Sequence, residues 1–170
     1  MDLDIESGAE SMTADIDRRN KALKNLQAAN PGLRVSYTLG VDPTGLPNDQ
    51  RNVLANAKTN GVNVNTVNIM AMDYGDASTT MGQRAINGAT GTFNQIKAIF
   101  TGKTDAQLWA MIGVTPMIGV NDTTCENFTT ANATALATFA QANDYINLLA
   151  FWAIGADNNH SYLKIFTMIH

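Results

Sequence analysis

Short apolar or alternating runs recur along the chain, separated by longer stretches whose apolar residues fall three or four apart. The first run, residues 1–6, alternates strictly, with Asp2, Asp4 and Glu6 on one side and Leu3 and Ile5 on the other. Residues 33–39 (LRVSYTL), 64–74 (VNTVNIMAMDY), 113–120 (GVTPMIGV) and 145–154 (YINLLAFWAI) have the length and composition of strands. Between them, 11–29 places Ile16, Leu23 and Leu26 at near-helical spacing and is stopped by Asn30-Pro31-Gly32. Residues 47–60 read as a helix closed by Gly61, and 81–100 as a long helix. Thr104 caps a short helix containing Leu108 and Trp109, and 128–142 is an alanine-rich helix.

Strands alternating with helices predict an α/β fold in which a parallel sheet is covered by outer helices. Strand starts 30 to 50 residues apart suit the repeat of an eight-stranded barrel. Such a barrel needs about 250 residues, and 170 leave room for about five units. The expected architecture is therefore a partial (βα)8 TIM barrel, one truncated domain over 1–170 with no internal boundary.

Composition narrows the function classes. The net charge is −4 and no basic block occurs, which argues against nucleic acid as a partner. No apolar run is long enough to span a membrane. The chain opens on alternating acids rather than on a signal-peptide pattern. Cys125 is the only cysteine, so an intrachain disulfide and a cysteine zinc site are excluded. With His160 and His170 the only histidines, a Cys/His catalytic pair is disfavoured, and Cys125 reads as a small residue at least half buried.

The acidic run carries the most chemistry. In a barrel, Leu3 and Ile5 would face the helices while Asp2, Asp4 and Glu6 would point inward, where unpaired carboxylates are costly. Like charges at this spacing push pKa values apart, so that one group holds a proton near neutral pH. Glu6 lies at the carboxyl end of the strand, where barrel active sites sit. Seen alone, the run also allows a solvated acidic terminus or a three-carboxylate metal site.

Asp2-Leu3-Asp4-Ile5-Glu6, followed by Ser7-Gly8, resembles the catalytic strand of glycoside hydrolase family 18, whose pattern is Asp-x-x-Asp-x-Asp-x-Glu. The strand running from Asn68 to Gly75 resembles the family's Met-x-Tyr strand. The run Gly113-Val114-Thr115-Pro116-Met117-Ile118-Gly119-Val120-Asn121-Asp122 resembles the matching strand of the bacterial-type chitinases. Phe151-Trp152-Ala153-Ile154 resembles the last strand, which carries a Trp. Tyr37-Thr38-Leu39 and Pro43-Thr44-Gly45-Leu46 fit the intervening strand and loop. The resemblance covers the whole chain in order and implies strands four to eight of the barrel.

What the resemblance implies is substrate-assisted, retaining hydrolysis of β-1,4-linked N-acetylglucosamine polymers, of endo type, the substrate's own acetamido group serving as nucleophile. Glu6 would be the general acid and then the base. Asp4 would stabilise the oxazolinium intermediate, and Asp2 would tune Asp4 through a shared proton. Tyr74 would donate its hydroxyl to the acetamido oxygen. Trp152 would form the floor under the reacting sugar, with Met72, Met117, Asn121 and Tyr37 as further substrate-binding residues. Read from the residues alone, Met72 and Met117 equally suit barrel filler, and Asn121 and Asp122 an ordinary turn. No metal and no cofactor is implied. The partners implied are chitin or chito-oligosaccharides, in an extracellular setting.

Three departures stand beside the resemblance. The first Asp of the pattern would precede Met1, Gly75 stands where an Asp usually follows the Tyr, and three strands are missing. A half-barrel leaves sheet edges open, so self-association that covers them, or a compact fold with shifted helices, is expected. A non-catalytic half-barrel that binds chitin or oligosaccharide is the competing reading.

Overall fold

The computed structural model describes residues 1–76, 78–123, 125–142 and 146–167. Strand β1 (Asp2–Ile5) leads through a 3-10 turn (Ala9–Ser11) into α1 (Thr13–Ala29), then β2 (Val35–Gly40), α2 (Asn48–Thr59), β3 (Val64–Ala71) and α3 (Met81–Ile99). Next come α4 (Asp105–Trp109), β4 (Ile112–Pro116), the two-residue strands β5 (Gly119–Val120) and β6 (Asn127–Phe128), and α5 (Thr130–Ala142). Strand β7 (Leu148–Leu149), a second 3-10 turn (Ile154–Ala156) and α6 (Ser161–Phe166) follow. The main sheet has the order β1-β2-β3-β4-β7, every pair parallel. This is the expected series of βα units laid side by side.

Two properties fix the sheet's faces. Ile5, Val35, Tyr37, Leu39, Val67, Ile69 and Val114 are at most 2 % exposed and form the face packed on helices. In α1 the residues that meet it are Ile16, Asn20 and Leu23, one helical stripe. On the opposite face the register aligns Asp2 with Ser36, Asp4 with Thr38, Thr38 with Asn68, and Met70 with Thr115. A hydrogen-bonded ladder crosses four strands there. Thr115 donates to Asn68 Oδ1 (2.8 Å), Asn68 Nδ2 donates to Thr38 Oγ1 (3.1 Å), and Thr38 donates to Asp2 Oδ2 (2.9 Å). Replacing Asn68 by Leu should cost about 1–3 kcal/mol in urea denaturation, because it strips a buried acceptor from Thr115 and a donor from Thr38.

Helix ends follow local rules. Thr104 closes a capping box with Gln107 at the start of α4, and Gly61, at φ 73°, ends α2 as the sequence predicts. The loop after β2 is braced from α3, where Gln95 bonds both the N–H (2.8 Å) and the carbonyl (3.0 Å) of Leu46.

The last third departs from the expected elements. The predicted strand 113–120 breaks after Pro116. Gly119, at φ 72°, turns the chain into a small antiparallel hairpin of β5 and β6. The helix predicted from 128 starts at Thr130. The predicted strand 145–154 contributes only Leu148–Leu149 and a bridge between Met117 and Trp152; its first residue, Tyr145, lies outside the described residues.

Candidate active site

The strands' carboxyl ends open into a cleft of about 750 Å³. Asp4, Glu6, Met72, Met117 and Trp152 all line it. Strand alternation puts Asp4 and Glu6 there, and the bridge to Met117 holds Trp152, a residue 63 % exposed, at the far end. Trp152→Ala should therefore leave the midpoint of a thermal melt nearly unchanged, because the residue adds little to the buried core.

Glu6 is held above the ordinary carboxylate range. Partial burial is the largest cause, followed by the charge of Asp4, a side-chain hydrogen bond with Asp4, and the charge of Glu10. A carboxyl in this position keeps its proton to higher pH, as a proton donor requires. Asp2 sits below the cleft, its two oxygens taken by the hydroxyls of Ser36 (2.5 Å) and Thr38 (2.9 Å). Both of those bonds anchor Asp2 to β2, and among the described residues no hydrogen bond joins Asp2 to Asp4.

Three expected residues lie elsewhere. Tyr37 is fully buried on the helix face and donates to Asn20 Oδ1 at 2.6 Å, because it shares a face with Val35 and Leu39. Burial pushes its hydroxyl pKa up. Asn121 is 3 % exposed and spent on backbone: its Nδ2 donates to the carbonyls of Met117 (2.9 Å) and Gly119 (3.3 Å), and its Oδ1 accepts the N–H of Asp73 (3.2 Å).

Tyr74 is the third. Asp73 adopts φ 50°, which ends the strand's alternation, so Tyr74 does not continue the face of Met72. Its ring packs against the core under the Arg84 guanidinium, 4.6 Å from the ring centroid, and its hydroxyl is buried without a hydrogen-bond partner. Burial raises that hydroxyl's pKa, Arg84 opposes the shift, and Glu126 and Asp42 add to it. Met72 holds the inward strand-end position instead, with Asp73 directly after it.

The carboxylates Glu10, Asp42, Asp73 and Asp122 also line the cleft. Asp42, Asp73 and Asp122 follow the ends of β2, β3 and the β4–β5 segment, so an acid just after each strand was the signal available. Cys125 is exposed, not half buried, and lies in the turn between β5 and β6. His160 is exposed, and His170 lies outside the described residues.

Comparison with known proteins fits this geometry. No protein-family model matches the chain. The chain superposes on the catalytic domain of a hyperthermophilic chitinase from Pyrococcus furiosus with TM-score 0.89 and 33% identity, covering 99% of this chain and 59% of that one. The chain is thus similar to a chitinase catalytic domain over about three fifths of that domain's length. Catalytic-site mutants of active domain 2 of a thermostable P. furiosus chitinase, solved with chito-oligosaccharides, give the same score at 31% identity. In sequence, the chain is 37% identical over 171 residues to Endochitinase 11 of Metarhizium anisopliae, covering 92% of this chain and 32% of that protein. It is 36% identical over 170 residues to a probable bifunctional chitinase/lysozyme of Escherichia coli strain K12, covering 92% of this chain and 19% of that protein. The chain thus spans a third or less of those curated relatives. The five parallel strands and outer helices are the partial barrel expected from the sequence.

Proposed function

We propose that this chain carries the catalytic strand of a chitinase-type glycosidase that hydrolyses β-1,4-linked N-acetylglucosamine chains with retention. The observation that carries this reading is Glu6 at the end of an acidic strand face, its pKa raised, over a cleft that ends at Trp152. Glu6 protonates the leaving glycosidic oxygen as the C1–O bond breaks and the substrate's acetamido oxygen bonds to C1. Asp4 lies beside Glu6, where a carboxylate stabilises the cationic ring that results. Water then attacks C1, gives its proton to Glu6 and reopens the ring, and the two displacements leave the anomeric configuration unchanged. Trp152 offers an exposed indole face to the sugar, and Met72 and Met117 supply apolar walls. Tyr37, Tyr74 and Asn121 have no part in this scheme.

Endo action on chitin outside the cell, and association of copies through the unpaired edges of β1 and β7, belong to the same reading. The test is release of fluorophore from an N-acetylglucosamine dimer or trimer by the folded chain. Absence of release would sink the hydrolase reading. A second reading, oligosaccharide binding without hydrolysis, is favoured by the openness of the cleft beside an exposed Trp152; it requires saturable binding with no product.

A further inference from the structure

The turn after β3 is shaped by a residue that the proposed reaction does not use. Glu126 is wholly buried. Its carboxylate accepts three consecutive backbone N–H groups: Tyr74 donates to Oε2 at 3.0 Å, and Gly75 and Asp76 donate to Oε1 at 2.7 and 3.2 Å. These amides converge because Asp73 and Gly75 adopt φ values of 50° and 83°. Left-handed residues interleaved with right-handed ones turn successive N–H groups to one side and form a concave anion-holding nest. A left-handed conformation is uncommon for a non-glycine residue, and it persists where surrounding bonds over-determine it.

Asp73, the non-glycine residue so held, is one of those that line the cleft. Its N–H donates to Asn121 Oδ1 at 3.2 Å, and its Oδ1 accepts the N–H of Thr123 at 2.7 Å. Glu126 also closes the loop between β5 and β6 with its own backbone, its carbonyl accepting from Asn121 (3.0 Å) and its N–H donating to Thr123 (2.9 Å). Two loops about fifty residues apart are locked together, and the buried carboxylate is the centre of the lock.

From this we infer that Glu126 is a positioning residue: it fixes Asp73 at the cleft, so turnover depends on it although it touches no substrate. The inference rests on the glycosidase reading. In Glu126→Gln an amide NH2 replaces one acceptor oxygen and faces backbone N–H groups, so part of the nest is lost. Small misplacements of groups at a site cost large factors in rate. Glu126→Gln should lower kcat/KM for the fluorogenic trimer about tenfold to a hundredfold. Asp73→Asn should lower it as well. The double variant should be no slower than Asp73→Asn alone, because Glu126 acts through Asp73.

Should Glu126→Gln fail to fold, Gly75→Ala perturbs the same nest from the exposed side. A Cβ there meets nothing within 4 Å, and only the left-handed φ of 83° resists it. The same lack of further loss in the Asp73→Asn background is expected. A loss that multiplies fully with Asp73→Asn, or wild-type kcat/KM in a folded Glu126→Gln, would overturn the inference while leaving the glycosidase reading intact. A folded wild-type chain without turnover would overturn that reading and the inference with it.

Discussion

Glu6→Gln should reduce turnover of a fluorogenic N-acetylglucosamine trimer by about a thousandfold while leaving the fold in place. Glu6 is exposed at the end of β1, outside the buried core, so the amide removes no packing. What it removes is the proton of a cleft carboxyl that burial and Asp4 hold above its ordinary range. An isosteric amide cannot release a proton to a leaving oxygen or accept one from water. Circular dichroism should match the wild type, and chito-oligosaccharide affinity should be retained, because the sugar contacts of the cleft remain. A folded Glu6→Gln chain with undiminished turnover would remove Glu6 from the mechanism.

Asp4→Asn should be the second most damaging change, about a hundredfold in kcat, since it withdraws the carboxylate placed to stabilise a developing cation. It also carries a pH signature. The charge of Asp4 and its hydrogen bond with Glu6 both raise the pKa of Glu6; without them only burial and Glu10 remain as causes. The pKa of Glu6 must then fall. Because the acid works in its protonated form, activity is lost as pH rises through that pKa. The alkaline limb of the kcat/KM profile should therefore move to lower pH in Asp4→Asn. A limb that stays in place would mean that Glu6 does not feel Asp4, and the pairing would be wrong.

The positions on either side of these two acids show how far periodicity reaches. The alternation of β1 is strict, so its acidic face was readable, and so was the parallel sheet implied by strand–helix alternation. In β2 the same rule puts Tyr37 with Val35 and Leu39 against the helices, while Ser36 and Thr38 face Asp2; the resemblance to the family's intervening strand places Tyr37 at the cleft against its own pattern. In β3 the rule fails at one residue. Asp73 leaves extended geometry, the count of two stops, and Tyr74 turns to the core while Met72 keeps the cleft.

Met72, Met117 and Trp152 are assigned to the cleft only by the family resemblance, whereas the sequence by itself determined the order of the elements as far as β4, the caps at Thr104 and Gly61, and the shared face of Asp2, Asp4 and Glu6. These follow from local propensity and side-chain period, which need no knowledge of distant partners. Only the tertiary structure decided that Asp2 is anchored through a ladder reaching Thr115, that Asn121 is consumed by backbone, and that Glu126 holds the turn carrying Asp73. Each of those depends on bonds between residues roughly thirty to fifty positions apart, or on a single left-handed residue that such bonds sustain, and no local pattern encodes either.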